Sequence, residues 1–168
     1  SDVHCGPMFL RERLRTAITE INSMRPDIIL VTGDLTENGL ISEFKLAQKE
    51  LKKLKADKIV YLSGNHDYRS TGYLLFKEYF PFTQVTETDE AVIVVVSSAR
   101  PDRDDGEIGN RQNLWLEKTL EKYIAHIREI NYQGSYYMRT VQFENKALMA
   151  AKLADMAGCP SDELIITR

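Results

Sequence analysis

Asp27-Ile28-Ile29-Leu30-Val31-Thr32-Gly33-Asp34 is the stretch whose reading decides the fold of this chain. A short continuous apolar run closed by glycine predicts a strand buried on both faces, the pattern of a parallel sheet. Lys58 to Ser63 (KIVYLS) repeats the signal and is closed by Gly64. Between the two lies a helical pattern over about 40–56, with Leu40, Phe44, Ala47, Leu51 and Leu54 on one side. Its Lys45, Lys49, Lys52 and Lys53 read as the solvated face. Upstream, Leu10, Leu14, Ala17, Ile18, Ile21 and Met24 give residues 8–24 helical periodicity, ended by Pro26. A βαβ rhythm follows, so the fold class is α/β with parallel strands and right-handed crossovers.

Further along, the spacing predicts a short helix over 72–80, a strand at 91–97 (AVIVVVS) and an acidic loop from Ser98 to Gly109. The longest helix is predicted over 112–131, with Leu116, Leu120, Ile124, Ile127 and Ile130 in one stripe and Trp115 closing its contact. Residues 132–168 differ in character: a loop or strand entry through Tyr137 to Phe143, an Ala- and Met-rich helix at 145–157, and a short strand at 162–168. The expected organisation is an α/β domain over 1–131 and a C-terminal segment, 132–168, packed on it. At 168 residues the chain is long enough for a core without staples. A net charge of −3 and a pI near 5.7 argue against a nucleic-acid or membrane surface partner. Cys5 and Cys159 stand in no metal or redox spacing and fit reduced thiols in a cytoplasmic protein. There is no apolar run of membrane-spanning length.

Three short motifs carry the chemistry: Asp2-Val3-His4, Gly33-Asp34 and Gly64-Asn65-His66-Asp67. In open α/β sheets ligands gather at the carboxyl ends of strands, where Asp34 and Asn65 each follow a strand-closing glycine. Asp2 and His4, two apart, point the same way if the backbone there is extended. Oxygens from Asp2, Asp34 and Asn65 with nitrogen from His4 make a mixed ligand set suited to manganese, iron or zinc rather than calcium. Two divalent cations about 3.5–4 Å apart hold a hydroxide and clamp a phosphoryl group. His66 is placed to protonate the leaving oxygen, and Asp67 to orient the His66 ring. Asp-x-His alone reads as a surface turn, and Gly-Asp is ordinary turn chemistry. Gly-Asn-His-Asp is the specific element.

This set resembles the calcineurin-like metallophosphoesterase superfamily. The run Gly33 to Phe44 (GDLTENGLISEF) looks most like its cyclic-nucleotide phosphodiesterase branch, and Gly109 to Leu116 (GNRQNLWL) is similar to the segment after its middle strand. The resemblance implies a four-layer α/β/β/α sandwich, incomplete in this chain. It also implies one metal on Asp2 and His4, a bridging Asp34, and a second metal on Asn65. His66 would be proton donor or phosphate contact, Asp67 its partner, and the substrate a small phosphorylated or nucleotide-type ester.

The chain departs from that pattern in two respects. The family's later histidines, ending in Gly-His-x-His, are absent, and the strand that should precede Asp2 is missing. Of the chain's three histidines, the third, His126, lies within the last long helix and reads as a helix-surface residue. A chain that is a piece of a longer protein, or interrupted between Tyr123 and Tyr137, accounts for both departures. A degenerate member, or one using Leu164 to Thr167 as the strand beside Asp2, are the alternatives. Function therefore divides three ways: a metal-dependent phosphodiesterase, a binding or scaffold protein on the same fold, and, disfavoured by the acidic pI, a repair-type nuclease. Oligomeric state is open.

Overall fold

The structure is a computed structural model that describes residues 1–88, 91–129, 136–139 and 164–167, with residues 124–129, 136–139 and 164–167 described as backbone elements only. Helix α1 (Arg11–Met24) precedes strand β1 (Ile28–Thr32), and helix α2 (Ile41–Leu51) precedes strand β2 (Lys58–Leu62). β1 and β2 pair in parallel, Ile28 opposite Lys58 and Thr32 opposite Leu62, so both strands end at the same edge. A short 3-10 turn (His66–Tyr68), helix α3 (Gly72–Tyr79) and an antiparallel pair, β3 (Val85–Glu87) with β4 (Val92–Val94), complete this part. The βαβ reading holds. β3, only three residues long, was not foreseen. The helix expected at 145–157 lies outside the described residues.

By packing, residues 1–106 form one compact unit and 107–168 another, a boundary earlier than the one after residue 131 drawn from composition. The second unit contains helix α4 (Asn110–Glu129), on which Leu116 is buried, and a parallel pair, β5 (Tyr136–Arg139) with β6 (Leu164–Thr167). Within that unit Leu164 to Thr167 pairs with Tyr136–Arg139. In the first unit Cys5 forms an isolated parallel bridge with Thr36.

The core of the first unit lies between the helices and one face of β1 and β2. Ile18 of α1, Ile29 and Val31 of β1, and Phe44, Ala47 and Leu51 of α2 are buried together with Phe76 and Phe80. Phe44 stacks on Tyr79 at 5.4 Å and meets Phe76 and Phe80 at 6.4 Å. Each such aromatic burial stabilises by about 1.5–3 kcal/mol. Apolar residues fall on one side of α2 at helical spacing, and Lys45 and Lys49 on its other side, with Lys52 and Lys53 just past its end, are exposed. The expectation of a strand buried on both faces fails at Leu30, which is 43% exposed. Side chains alternate across a strand, so only the face bearing Ile29 and Val31 receives the helices.

α2 begins without a side-chain cap from Leu40, but Glu43 reaches back to the Leu40 N–H at 3.3 Å and the Asn38 N–H at 2.8 Å. α1 is fastened to α2 by a buried carboxylate. Glu50, fully shielded from solvent, accepts from Arg15 Nε at 3.0 Å and Arg15 Nη2 at 3.3 Å, lies 3.4 Å from Arg11 Nε, and pairs with Lys53. Asn22 closes the far end, donating to the Lys53 carbonyl at 2.9 Å and accepting from the Lys55 N–H at 2.8 Å.

The Arg15 and then the Lys53 hydrogen bonds hold the Glu50 carboxyl down at about 2, against the opposing effect of burial. Its folded value lies below the ordinary one, so it contributes stability that is present above about pH 4.5 and lost as pH falls toward 2. Glu50→Gln should remove about 1–2 kcal/mol at neutral pH, discounted because the partner side chains are partly exposed. It should also flatten the acid limb of a urea-unfolding series between about pH 4.5 and 2. An unchanged acid limb would show that the cluster does not fasten α1.

Candidate metal centre

The two strand-ending loops are pressed together by their glycines. Gly33 has φ +85°, a left-handed conformation that glycine adopts without penalty, and a Cβ there would lie 2.5 Å from the Gly64 amide nitrogen. Gly64 has no such φ. Its requirement is proximity, since a Cβ would collide with the Asp34 carboxylate. Ordinary side chains at either position would force the loops apart.

One carboxylate ties these loops. Asp67 is fully buried and accepts from the Leu35 and Thr36 N–H groups, each at 2.9 Å, from Thr36 Oγ1 at 3.0 Å and from the Gly64 N–H at 3.0 Å. Burial drives its carboxyl up to about 6, opposed by the Gly64 and Thr36 donors. The role expected for it, orienting the His66 ring, is not what the structure places there. The His66 Nδ1 instead stands 2.8 Å from the backbone carbonyl of Glu37. The reason is steric order: the 3-10 turn over His66–Tyr68 sends the Asp67 side chain inward, toward the loop after β1.

Residues 1–5 run beside this pair of loops. The Asp2, His4 and Cys5 N–H groups donate to the carbonyls of Gly33 at 3.2 Å, Asp34 at 2.9 Å and Leu35 at 2.9 Å. The backbone is not extended as the i, i+2 reading assumed: φ is +57° at Asp2, +46° at His4 and +52° at Asp34. Three non-glycine residues in the left-handed region cost about 1–3 kcal/mol each and persist only where surroundings impose them, commonly at functional sites.

The structure brings Asp2, His4 and Asp34 together. His4 Nε2 lies 3.8 Å from Asp2 Oδ1 and 4.0 Å from Asp34 Oδ2, and the three donor atoms fall within 4.8 Å of one another. Ligands at 2.0–2.2 Å from a common ion stand at most about 4.4 Å apart, so this set fits a divalent cation with little contraction. Asp34 Oδ1 accepts the His66 N–H at 3.0 Å, which turns its other oxygen toward His4. Asn65 donates its amide to Asp104 Oδ1 at 2.9 Å, which commits the nitrogen end and leaves the amide oxygen for a cation. Arg69 Nη2 reaches the same Asp104 oxygen at 3.1 Å, and the Arg69 and Asn65 bonds hold that carboxyl below the ordinary range. The His126 side chain lies outside the described residues.

Glu37, outside the three sequence motifs, joins the site. Its carboxylate lies 3.1 Å from His4 Nδ1 and 3.6 Å from His66 Nδ1, and the two imidazoles meet edge to face at 4.4 Å. Its place three residues after Asp34 was the available signal. Cys5, adjacent to His4, is a free, buried thiol pushed up to about 12 by burial, then by Glu43, Glu50 and Asp67. Beside Asp2 and His4 opens a cleft of about 710 Å³, bordered by Val3, Met8, Phe9, Leu10 and Arg13.

With this geometry in view, the sequence profile of the calcineurin-like phosphoesterase family matches residues 1–147. The chain belongs to that family. Among curated relatives, the chain is 31% identical over 122 residues to a probable glycerophosphodiester phosphodiesterase of Arcobacter nitrofigilis, covering 68% of this chain and 44% of the relative. It is 31% identical over 117 residues to a probable cyclic nucleotide phosphodiesterase of Rhodococcus erythropolis, covering 64% of this chain and 39% of the relative. It is 29% identical over 124 residues to a cAMP/cGMP dual specificity phosphodiesterase of Mycobacterium tuberculosis, with coverage of 68% and 39%. The chain thus spans less than half the length of these relatives. Among its described residues no helix is long and apolar enough to cross a membrane.

The Asp67 tie yields a stability test. Asp67→Ala leaves the N–H groups of Leu35, Thr36 and Gly64 without their acceptor, at about 1–3 kcal/mol for each buried group. Urea unfolding of the metal-free protein should show a loss of at least about 3 kcal/mol. A loss under about 1 kcal/mol would mean that the two loops are held by other contacts.

Proposed function

We propose that this chain carries out metal-dependent hydrolysis of a small or nucleotide-type phosphodiester. The observation that carries the reading is the convergence of Asp2 Oδ1, His4 Nε2 and Asp34 Oδ2, with Asn65 and His66 on the adjoining loop. Asp2 and His4 would hold one divalent ion, Asp34 would serve both, and Asn65 would serve the second; manganese, iron and zinc suit the set. When bound, such ions supply Lewis-acid polarisation of water and of the phosphoryl oxygens.

The chain's own residues do the rest. His66 donates its Nδ1–H to the Glu37 carbonyl, which leaves Nε2 on the opposite side of the ring to contact the phosphate or, from the imidazolium form, to pass its proton to the leaving alkoxide and become neutral. Asp67 does not touch the reacting atoms in this scheme; it sets the position of Asp34 relative to His66. The cleft beside Asp2 and His4 has room for the organic group of an ester, with Phe9 and Met8 as apolar wall and Arg13 as a cationic edge. The phosphodiesterase names of the relatives support a diester over a monoester substrate. A cytoplasmic location accords with the free Cys5 thiol.

Hydrolysis of bis(p-nitrophenyl) phosphate with added Mn²⁺ tests the reading. Turnover should appear with metal, vanish with chelator, fall about 10²–10⁴-fold in His66→Ala and fall to background in Asp34→Asn. Metal-independent turnover, or turnover indifferent to both substitutions, would overturn it. Tight Mn²⁺ binding without turnover would favour the binding-protein alternative.

A further inference from the structure

We propose that Glu37 is a positioning residue for His4, fixing the imidazole so that Nε2 is delivered to the cation. The proposal rests on the metal-centre reading above. His4 Nδ1 is buried and has no aligned hydrogen bond among the described residues, and Glu37 Oε2 stands 3.1 Å from it. The opposite nitrogen, Nε2, faces Asp2 and Asp34. An imidazole that binds through Nε2 must carry its proton on Nδ1, and a carboxylate beside Nδ1 both selects that tautomer and sets the ring orientation. A small rotation of the Glu37 carboxyl completes the bond.

The same residue treats the two histidines differently. His66 Nδ1 is engaged by the Glu37 backbone carbonyl at 2.8 Å, with the carboxylate farther away at 3.6 Å. The backbone therefore fixes His66, and the side chain is left for His4. The nitrogen and oxygen donors of His4, Glu37 and His66 lie within 4.8 Å of one another, which would also suit a cation. However, a His66 Nδ1 that donates to a carbonyl has no lone pair for a metal, so the geometry favours positioning.

The placement of Glu37 is built into the fold. Gly6, in the turn after His4, passes so close that a Cβ would lie 2.5 Å from the Glu37 Cβ. Downstream, Glu43 holds the Asn38 N–H at 2.8 Å, and Gly39 has φ +66°. Arg69 Nη1 bonds the Glu37 carbonyl at 3.4 Å and lies 4.0 Å from its carboxylate. The backbone on both sides and the Arg69 cation behind it thus set the carboxylate beside His4.

The test uses Glu37→Ala, Glu37→Gln and Gly6→Ala, with two readouts: imidazole tautomers in the metal-free protein by long-range ¹⁵N–¹H NMR, and Mn²⁺ affinity by titration calorimetry. In the native chain His4 should carry its proton on Nδ1. Glu37→Ala should shift that proton toward Nε2 and weaken Mn²⁺ binding about 10–100-fold. Glu37→Gln, whose amide oxygen accepts the same proton, should restore the tautomer and most of the affinity. Gly6→Ala, which displaces Glu37 without altering it, should act in the direction of Glu37→Ala. The His66 tautomer should be the same in all four proteins. A His4 tautomer and Mn²⁺ affinity both unchanged in Glu37→Ala would overturn the proposal. So would loss of one whole equivalent of Mn²⁺ with the remainder unaffected, which would make Glu37 a ligand. If the native chain takes up no Mn²⁺, the metal-centre reading fails, and the tautomer shift still decides the role of Glu37.

Discussion

The buried carboxylate of Asp67 is the interaction on which the rest of the site depends. It stands between the loops that end β1 and β2 and binds donors from both: Leu35 and Thr36 on one side, Gly64 on the other. Parallel pairing of β1 and β2 brings the two loops to one edge of the sheet but does not fix their separation. Asp67 does so by offering acceptors that the turned backbone would otherwise lack, and an unpaired buried amide is costly. Once Leu35 and Thr36 are fixed, the backbone of residues 33–35 presents carbonyls in register to receive Asp2, His4 and Cys5. The first motif is thereby seated on the second, and the second on the third.

Much of this was legible in the sequence, for definite physical reasons. Apolar runs closed by glycine at Gly33 and Gly64, alternating with helical periodicity, are sufficient for a βαβ unit because hydrophobic burial has a different period in each element. The ligand candidates could be named because strand ends share an edge and Gly-Asn-His-Asp exceeds what a turn requires. Leu30 shows where pattern reading stops. An apolar run reports what could be buried, and whether a layer covers each face is a tertiary fact. β3 was missed because three residues carry too little periodicity to register.

Adjacency in sequence does not set side-chain contact at Asp67 and His66. A 3-10 turn over His66–Tyr68 rotates consecutive side chains apart, sending one toward the cleft and the other into the interior. The partner of His66 comes from the loop after β1, 29 positions upstream in sequence but adjacent in the fold, as the carbonyl of Glu37. No periodicity encodes such a contact. The left-handed backbone at Asp2, His4 and Asp34 was equally hidden, because Asp and His tolerate that region without advertising it as glycine does. Strain concentrated at the three residues that converge is itself consistent with a site shaped for a ligand.

Family membership and geometry meet at one claim, that Asp2, His4 and Asp34 converge on a single divalent cation. Anomalous diffraction from a crystal of this protein soaked in Mn²⁺ tests it most directly. The account predicts an anomalous peak bounded by Asp2 Oδ1, His4 Nε2 and Asp34 Oδ2. A peak bound by other side chains, or no peak in crystals where these three remain well ordered, would contradict it.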